Sequence, residues 1–264
     1  MNIVFLIIIY NRELKESSTY RSFIDNHEIF EDMDTSLLVW NNGIKEIFFE
    51  DCSLKKSRIE IINSKNNTPL SNVYNRFINS YSADYYVVLD DDSYLTKEYF
   101  EDLKNKARTF EHDLILPLVT VGTKVVSPNL ECNLINRPTA IASGMIISSQ
   151  LLERISAKYG SYFDERFVLY AVDYSFMCRA SNVTNNVEVI RGFEHDKSTL
   201  GASISDFRRK ELGYALGLKL RYYFELKHLY VFLRSFGSWI IFLPYRVDFL
   251  SALKVFILGK HPNV

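Results

Sequence analysis

Short apolar runs alternate with amphipathic segments along the first 200 residues. The runs predict strands at residues 3–10, 37–40, 58–62, 85–89, 114–118, 140–148 and 187–190. Several are continuous Val, Ile, Leu and aromatic stretches that end in polar residues, which is typical of strands buried on both faces of a sheet. Strands that alternate with helical patterns predict an α/β fold, in which a mostly parallel sheet is flanked by helices.

Two of the intervening helices have clear sequence signals. One begins after Pro69, where apolar residues recur at spacings of three and four. They are Leu70, Val73, Tyr74, Phe77 and Ile78. The other begins at Thr96, whose hydroxyl suits a helix N-cap. Both helices are predicted to cover a face of the sheet.

Charge divides the 264-residue chain into two unequal parts. Residues 208–264 carry 10 Lys and Arg against 3 Asp and Glu, whereas the rest carries 21 against 29. This contrast predicts a main domain over residues 1–205 and a helical, basic and aromatic appendage over residues 206–264. The acidic main domain argues against nucleic-acid binding.

The composition of the appendage predicts what it contacts. Its longest uncharged stretch, 235–245, is shorter than the roughly 20 apolar residues that span a bilayer. We predict that it lies on the inner face of the cell membrane, with Trp and Tyr at headgroup depth and Lys and Arg against anionic lipid. Packing against the main domain, or in a homodimer interface, stays open.

The ends of the chain and its cysteines bear on location. The apolar run at residues 3–9 is too short for a signal peptide and lacks a basic leader. Three widely separated cysteines, Cys52, Cys132 and Cys178, favour a reducing compartment over a disulfide framework. The expected location is cytoplasmic, peripheral on the membrane.

Three consecutive carboxylates follow the predicted strand at 85–89. Asp90, Asp91 and Asp92 sit where a buried strand reaches solvent, which is where α/β proteins place their chemistry. Adjacent carboxylates raise one another's pKa, so a divalent cation is their natural counter-charge. A polar turn is the alternative interpretation.

Other polar clusters are predicted to reach the same edge of the sheet. They are Tyr10-Asn11-Arg12, Asn41-Asn42-Gly43 and Asn66-Asn67. Amide and hydroxyl groups that can bind base and ribose, beside an acidic cluster that can bind a metal, predict a nucleotide diphosphate ligand.

These residues resemble the family 2 glycosyltransferases of the GT-A fold, particularly bacterial rhamnosyltransferase-like and polysaccharide-assembly members. The resemblance covers about residues 2–200. Its motifs are Ile8-Ile9-Tyr10-Asn11-Arg12, Asn41-Asn42-Gly43, Leu89-Asp90-Asp91-Asp92-Ser93, Ser143-Gly144-Met145-Ile146-Ile147-Ser148 and the segment 163–179. It implies a Rossmann-like GT-A domain over residues 1–205.

The resemblance also implies a mechanism and a set of site residues. The expected reaction is inverting transfer of a sugar from a UDP- or dTDP-sugar to a saccharide acceptor, lipid-linked and used for surface polysaccharide such as O-antigen or capsule. Mn²⁺ or Mg²⁺ would be held by Asp90, Asp92 and His195, and Asp173 would be the general base. The donor would be bound by Tyr10, Asn11, Arg12, Asn41, Asn67, Asp90 and Asp91.

The chain departs from the family pattern at two positions. Asn41 replaces the Asp that binds the base, and Val172 replaces the Glu before Asp173. Arg179 could pair with Asp173 or meet phosphate.

Two other classes of protein are weighed against a glycosyltransferase. A sugar-phosphate nucleotidyltransferase would be expected to carry a glycine-rich triphosphate loop near its N-terminus, and none is visible in this sequence. A non-catalytic nucleotide-sugar-binding protein would not need Asp173.

Overall fold

The computed structural model describes residues 1–48, 59–131, 137–194, 204–241, 243 and 245–264. The described strands are β1 (Asn2–Ile9), β2 (Asp34–Asn41), β3 (Ile59–Asn63), β4 (Tyr85–Asp90), β5 (Leu114–Val121), β6 (Lys124–Ser127), β7 (Met145–Ser148) and β8 (Val187–Glu194). The α-helices are α1 (Ser18–Asn26), α2 (Leu70–Ser80), α3 (Lys97–Thr109), α4 (Ser149–Tyr159), α5 (Val172–Ser181), α6 (Asp206–Tyr222), α7 (Leu226–Ile240) and α8 (Phe249–Leu258).

All these strands join one sheet of mixed direction. The order is β3-β2-β1-β4-β7-β5-β6, and β8 pairs with β5 beside this path. The first four strands are parallel, β7 is antiparallel to both β4 and β5, β6 is antiparallel to β5, and β8 is parallel to β5. Ile9 lies opposite Asn41 and Ile8 lies opposite Asp90. The register therefore brings the carboxyl ends of β1, β2 and β4 to one edge, as the sequence predicts.

The sheet is buried on both faces, which explains the continuous apolar runs. Alternate residues of β1 enter different cores because side chains of a strand point to opposite faces. Val4, Leu6 and Ile8 join the core beneath α2, α4 and α5, whereas Phe5 and Ile7 join the core beneath α1 and α3. The α/β prediction is confirmed.

Most predicted elements are present with small changes at their ends. The helix after Pro69 is α2, and Thr96 caps α3, with its hydroxyl accepting a hydrogen bond from the Tyr99 amide at 3.2 Å. The strand predicted at 187–190 continues to Glu194. Strand β6 was not predicted. It lies at the edge of the sheet and three of its four residues are exposed, so its sequence lacks the apolar run of a buried strand.

The strand predicted at 140–148 is wrong in its first half. Only Met145–Ser148 is extended, and Gly144 has a φ of +84°, which a glycine adopts without steric cost. The Gly144 amide donates to the carbonyl of Val88 at 2.8 Å. A turn therefore precedes β7 and brings Ser143 beside the end of β4.

The three C-terminal helices differ in how they contact the rest of the molecule. Leu218 and Tyr223 of the α6 region lie in the same core as α5. A Cβ on Gly217 would lie 2.3 Å from the carbonyl oxygen of Ala252, so glycine allows α6 to approach α8 closely. The predicted boundary at residue 205 stays a prediction, and α6 packs into the core of the part before it.

Helix α7 is largely exposed. It buries only His228 and Ser235, whereas Tyr230, Leu233 and Ile240 are more than half exposed. None of the helices in the described ranges is long and apolar enough to cross a membrane.

Candidate active site

The loop that follows β4 is held by hydroxyl groups from distant parts of the chain. Thr19 Oγ1 donates to the carbonyl of Ser93 at 2.8 Å and accepts from its amide at 3.0 Å. Ser143 Oγ accepts from the Asp90 amide at 3.1 Å and lies 3.0 Å from Ser93 Oγ. The backbone between Asp90 and Ser93 is thus fixed on both sides. We name residues Asp90 to Asp92 the acid loop.

Fixing the acid loop keeps its carboxylates close together and partly out of water. Burial, followed by repulsion from Asp92, Asp91 and Asp173, raises the pKa of Asp90 to about 7. Burial also raises the pKa of Asp91, and the Arg12 guanidinium opposes this increase. Arg12 Nη1 lies 3.5 Å from Asp91 Oδ1 and is more than a third exposed. A cation at the rim of the site therefore pairs with one carboxylate of the acid loop, that of Asp91.

Asp92 supplies the most direct sign that a ligand belongs here. Its Oδ1 is buried and forms no hydrogen bond within the described part of the chain. An unpaired buried carboxylate oxygen is costly unless a cation or donor meets it. Mg²⁺ and Mn²⁺ prefer oxygen ligands, and Mg²⁺ sites commonly use one or two carboxylates completed by water and substrate phosphate. Asp90 and Asp92 fit such a site.

The third predicted metal ligand, His195, lies outside the described residues. Across the ranges that are described, no three His, Cys, Asp or Glu side chains form a ready metal cage. The metal prediction therefore stays a prediction, supported by the chemistry of the acid loop.

The predicted base-binding residue Asn41 is engaged within the protein. Its Nδ2 donates to the carbonyl of Lys45 and to Asn63 Oδ1, both at 2.7 Å, and its Oδ1 accepts from the Gly43 amide at 3.0 Å. Only 1% of Asn41 is exposed. In this arrangement Asn41 closes the turn after β2, and its side chain has no hydrogen left to donate to a base.

Asn67, another predicted donor-binding residue, lies beside this turn. Its Oδ1 accepts from Asn42 Nδ2 at 3.1 Å, and Asn42 also holds the backbone of Thr68. The loops after β2 and β3 are thus joined at the edge of the sheet, and Asn67 remains exposed there.

Tyr10, Asn11 and Arg12 are brought together with the acid loop as predicted. The backbone amide of Tyr10 opposes the increase in the pKa of Asp91. Asn11 has a φ of 51°, which is uncommon for a residue other than glycine. A Cβ on Gly43 would lie 2.8 Å from the Asn11 amide nitrogen, so the loops after β1 and β2 touch. Tyr10 is 52% exposed and its ring is available to stack on a ligand.

Asp173 lies on α5, which packs in the same core as α2, and its charge acts on the acid loop. It is the second residue of α5, and the helix follows Ala171, which has a left-handed φ of 65°. Its Oδ1 accepts from the Tyr174 amide at 2.7 Å. Burial raises the pKa of Asp173, and its charge in turn raises the pKa values of Asp90 and Tyr74. The structure therefore brings Asp173 and the acid loop together.

Arg179 has neither of the two predicted roles. It is 4% exposed, and its Nη2 lies 3.3 Å from Asp164 Oδ2. Arg166 forms two hydrogen bonds of 2.7 and 2.6 Å to the same carboxylate, and the Tyr223 hydroxyl donates to it at 2.8 Å. Asp164 of the Phe-Asp-Glu segment therefore fixes the end of α6 through Tyr223. Arg179 is an internal counter-ion of Asp164.

Comparison with protein families decides which class of enzyme this is. The profile of Glycosyl transferase family 2 matches residues 5–146, more than half of the chain. The chain belongs to glycosyltransferase family 2. The matched region runs from β1 into β7, so it includes the acid loop and ends before Asp173. No curated protein sequence matches this family 2 glycosyltransferase.

Solved structures show the same fold. Staphylococcus aureus TarS, residues 1–349, superposes with a TM-score of 0.53 at 14% identity, covering 83% of this chain and 64% of TarS 1–349. The corresponding values for the longer TarS structure are 0.52, 14%, 84% and 40%. For TarS 1–349 in complex with UDP-GlcNAc they are 0.51, 15%, 84% and 67%. This glycosyltransferase therefore spans about two thirds of TarS 1–349 and less than half of the longer structure.

Sequence reasoning missed the residues that support the acid loop. Thr19 and Ser143 lie more than 50 positions from the residues they hold, and Ser17 likewise donates to the Asp91 carbonyl at 2.9 Å. Single hydroxyl residues are common in loops and caps, so nothing local distinguishes these three. The only signal was that Ser143 lies in a motif of the resemblance.

Proposed function

We propose that this family 2 glycosyltransferase is a metal-dependent inverting enzyme that uses a UDP- or dTDP-sugar. The observation that carries the proposal is the unpaired, buried Oδ1 of Asp92 in an acid loop that Asp173 faces. A nucleotide diphosphate with a divalent cation supplies what this site lacks, which is positive charge next to oxygen acceptors. The UDP-GlcNAc bound to a TarS structure of the same fold supports UDP as the first nucleotide to test.

Each predicted site residue would then have a role in binding the metal or the donor. Asp90 and Asp92 would hold Mn²⁺ or Mg²⁺, which when bound supplies positive charge to the leaving diphosphate. The donor's base, ribose and phosphate would be contacted by Tyr10, Asn11, Arg12, Asn67 and Asp91. Asn41 would act there through the turn it closes, since its own amide hydrogens are engaged.

Asp173 would accept the proton of the acceptor hydroxyl. The acceptor oxygen forms a bond to the anomeric carbon, the bond from that carbon to the diphosphate breaks, and a nucleoside diphosphate leaves. Its first-turn position on α5 and its contact with a backbone amide fix the carboxylate without consuming both oxygens. Asp173 therefore keeps an oxygen for the acceptor.

The experiment is release of nucleoside diphosphate from UDP-GlcNAc, other UDP-sugars and dTDP-sugars, with Mn²⁺, with Mg²⁺ and with EDTA. We expect turnover with one nucleotide class, dependent on metal, and lost in Asp92→Asn. Exposed Asp34 at the start of β2 provides a matched control, and Asp34→Asn should retain full activity. Equal turnover with EDTA would contradict the metal-dependent part of the proposal.

We further propose that the acceptor is a saccharide linked to lipid, for surface polysaccharide synthesis, and that α7 and α8 contact the cytoplasmic face of the membrane. Exposed apolar side chains support this. They are Tyr230 (62%), Leu233 (56%), Trp239 (46%), Ile240 (52%), Ile257 (64%) and Leu258 (57%). Arg234 and the exposed Lys254 lie on the same two helices and suit anionic headgroups.

Flotation with vesicles tests this surface. The full chain should bind phosphatidylglycerol-containing vesicles more than pure phosphatidylcholine vesicles, and Trp239→Ser/Ile240→Ser should bind much less. Phe110, which is 54% exposed at the end of α3, provides a control, so Phe110→Ser should bind as the wild type does. No binding by the wild type, together with dimerisation that Trp239→Ser/Ile240→Ser abolishes, would assign the surface to a second copy of the chain.

A further inference from the structure

A cavity of about 260 Å³ lies between α6, α7 and the start of α8. Its lining includes Arg209 of α6, Trp239 of α7, and Tyr245, Asp248 and Phe249 where the chain enters α8. Its volume is below the roughly 300 to 1,000 Å³ that is typical of pockets for drug-sized ligands. The cavity therefore suits a small polar group rather than a whole nucleotide sugar.

Arg209 supplies a positive charge that is only partly compensated. Its Nε is buried and forms no hydrogen bond within the described part of the chain. Its Nη1 lies 3.5 Å from Oδ1 of Asp206, whose side chain is 90% exposed, so water weakens that pair. A guanidinium group presents its donors in a planar fork that matches the oxygens of a phosphate. Arg209 therefore suits a phosphate group that enters the cavity.

Asp248 supplies the opposite charge. Its Oδ2 accepts a hydrogen bond from the Ser251 amide at 2.8 Å and so caps α8. That bond leaves the other carboxylate oxygen for a ligand. Because the ion pair of Arg209 is with Asp206, the two opposite charges that line the cavity do not neutralise each other directly.

Aromatic rings lie next to Asp248. The ring centres of Trp239 and Phe249 are 5.6 Å apart, at an interplanar angle of 38°, and Phe249 directly follows Asp248. Phe236 packs against both rings, with centres 6.2 and 5.0 Å away, and so fixes this aromatic wall. Aromatic rings attract cations, and quaternary ammonium ligands are commonly bound among them. The wall and the carboxylate together suit an ammonium group.

We propose that this cavity binds a phosphodiester that carries an ammonium group, which is the chemistry of a zwitterionic lipid headgroup. Arg209 would bind the phosphate, and Asp248 with the aromatic wall would bind the ammonium group. The inference rests on the proposed function, because Trp239 belongs both to the cavity and to the surface proposed to contact the membrane. A headgroup without an ammonium group would leave Asp248 without a counter-charge.

The test uses the full chain and soluble headgroups. The chain has two tryptophans, so nitrogen-15 NMR gives two indole signals, and that of Trp239 is identified by its loss in Trp239→Phe. Glycerophosphoethanolamine or glycerophosphocholine should shift the Trp239 signal saturably and leave the signal of the buried Trp40 unchanged. Glycerophosphoglycerol, which has no ammonium group, should bind about tenfold more weakly. Equal affinity for glycerophosphoglycerol, or no saturable shift with either zwitterion, would overturn the proposal.

Two substitutions test the two charges separately. Asp248→Asn removes the negative charge and keeps an oxygen that can cap α8, since Asn and Asp are similar N-caps. Asp248→Asn and Arg209→Gln should each weaken binding of the zwitterion by about tenfold. Lys210→Gln, an exposed change on α6, should leave the affinity unchanged. An unchanged Trp40 signal shows that a variant is folded, and unchanged affinity in either folded cavity variant would overturn the proposal.

Vesicle flotation separates this proposal from the proposed function. If the zwitterions bind and the chain does not float with vesicles, the cavity site stands and the proposed membrane surface fails. If the chain floats and neither zwitterion shifts the Trp239 signal, the membrane surface stands and the cavity site fails.

Discussion

Two acidic regions of this glycosyltransferase differ in how far the charges of their carboxylates are compensated by neighbouring groups. Asp164 is 1% exposed and is surrounded by two guanidinium groups and a tyrosine hydroxyl. In the acid loop, the rim residue Arg12 pairs with Asp91, and Asp92 Oδ1 has no donor within the described residues. A carboxylate whose charge is compensated stabilises the fold, whereas an uncompensated carboxylate in a loop fixed by hydroxyl groups is typical of a ligand-binding site.

The largest effect expected is on stability at Asp164. Asp164→Asn leaves the buried guanidinium group of Arg179 and the partly exposed one of Arg166 without their counter-charge, and breaking a buried pair costs about 3 to 5 kcal/mol. The same substitution at Asp92 removes a charge that has no partner and that repels Asp90, so in EDTA it should not lower the free energy of unfolding. Urea unfolding of both variants in EDTA checks the contrast. Equal losses would show that the two regions are alike.

The next prediction concerns activity at Asp173. Asp173→Asn keeps the shape of the side chain and removes the base, so kcat should fall by about 10²- to 10⁴-fold. Stabilisation by nucleotide and metal should remain, because the donor side is intact. Nucleotide release and thermal unfolding on the same sample separate the two effects. A variant that loses nucleotide binding as well would show that Asp173 belongs to the donor site.

A smaller effect is expected from the pH dependence of stability at Asp90. Because folding raises the pKa of Asp90 to about 7, the folded protein binds more protons than the unfolded chain between about pH 4 and pH 7, and stability falls as pH rises through this window. In EDTA, Asp90→Asn should therefore exceed the wild type in stability by on the order of 1 to 3 kcal/mol at pH 8. Near pH 4 the difference should vanish.

Asp34→Asn, at an exposed carboxyl outside the acid loop, is the control for this measurement. A constant difference between Asp90→Asn and wild type at pH 4 and pH 8 would contradict the electrostatic origin of the effect.

The smallest effect sharpens the description of the compensated region. Arg166 lies 3.5 Å above the Tyr222 ring while it binds Asp164. Tyr222→Leu removes the aromatic face and the hydroxyl that donates to the Gly259 carbonyl at 2.8 Å, and should lower the free energy of unfolding by about 1 to 2 kcal/mol. Urea unfolding measures it, and a loss as large as that of Asp164→Asn would mean that Tyr222 has a further structural role.

Much of the donor side follows from local sequence pattern. Parallel strands end at the same edge, so polar residues after β1, β2 and β4 could be placed together before the structure was seen. The sequence could not predict which of these polar side chains would form all their hydrogen bonds within the protein. Asn41 ends β2 and Asp91 follows β4, the two strands that flank β1, and the sequence gives no reason to treat them differently. The Asn41 amide nevertheless forms all its hydrogen bonds within the protein.

The C-terminal side follows much less from the sequence. Helix α6 contacts α5 through Tyr223 and Lys219, which lie more than 40 positions from their partners, and such contacts leave no periodic signal. The turn before β7 was not predicted because residues 140–144 are small or apolar and resemble the start of a buried strand. Its glycine, with positive φ, was the only local sign of a break.

The central claim is that the acid loop binds a nucleotide diphosphate together with a metal. It is tested most directly by thermal unfolding with UDP, dTDP, GDP and CMP, each with and without Mn²⁺, on wild type, Asp92→Asn and Asp34→Asn. A ligand at about 100 times its Kd adds roughly 2.7 kcal/mol of stability, and each kcal/mol shifts Tm by about 2 to 4 °C in a chain near this size. We predict a Tm increase of about 5 to 10 °C with one diphosphate and Mn²⁺, retained in Asp34→Asn and absent in Asp92→Asn. The same increase in Asp92→Asn, or none in folded wild type, would contradict the account.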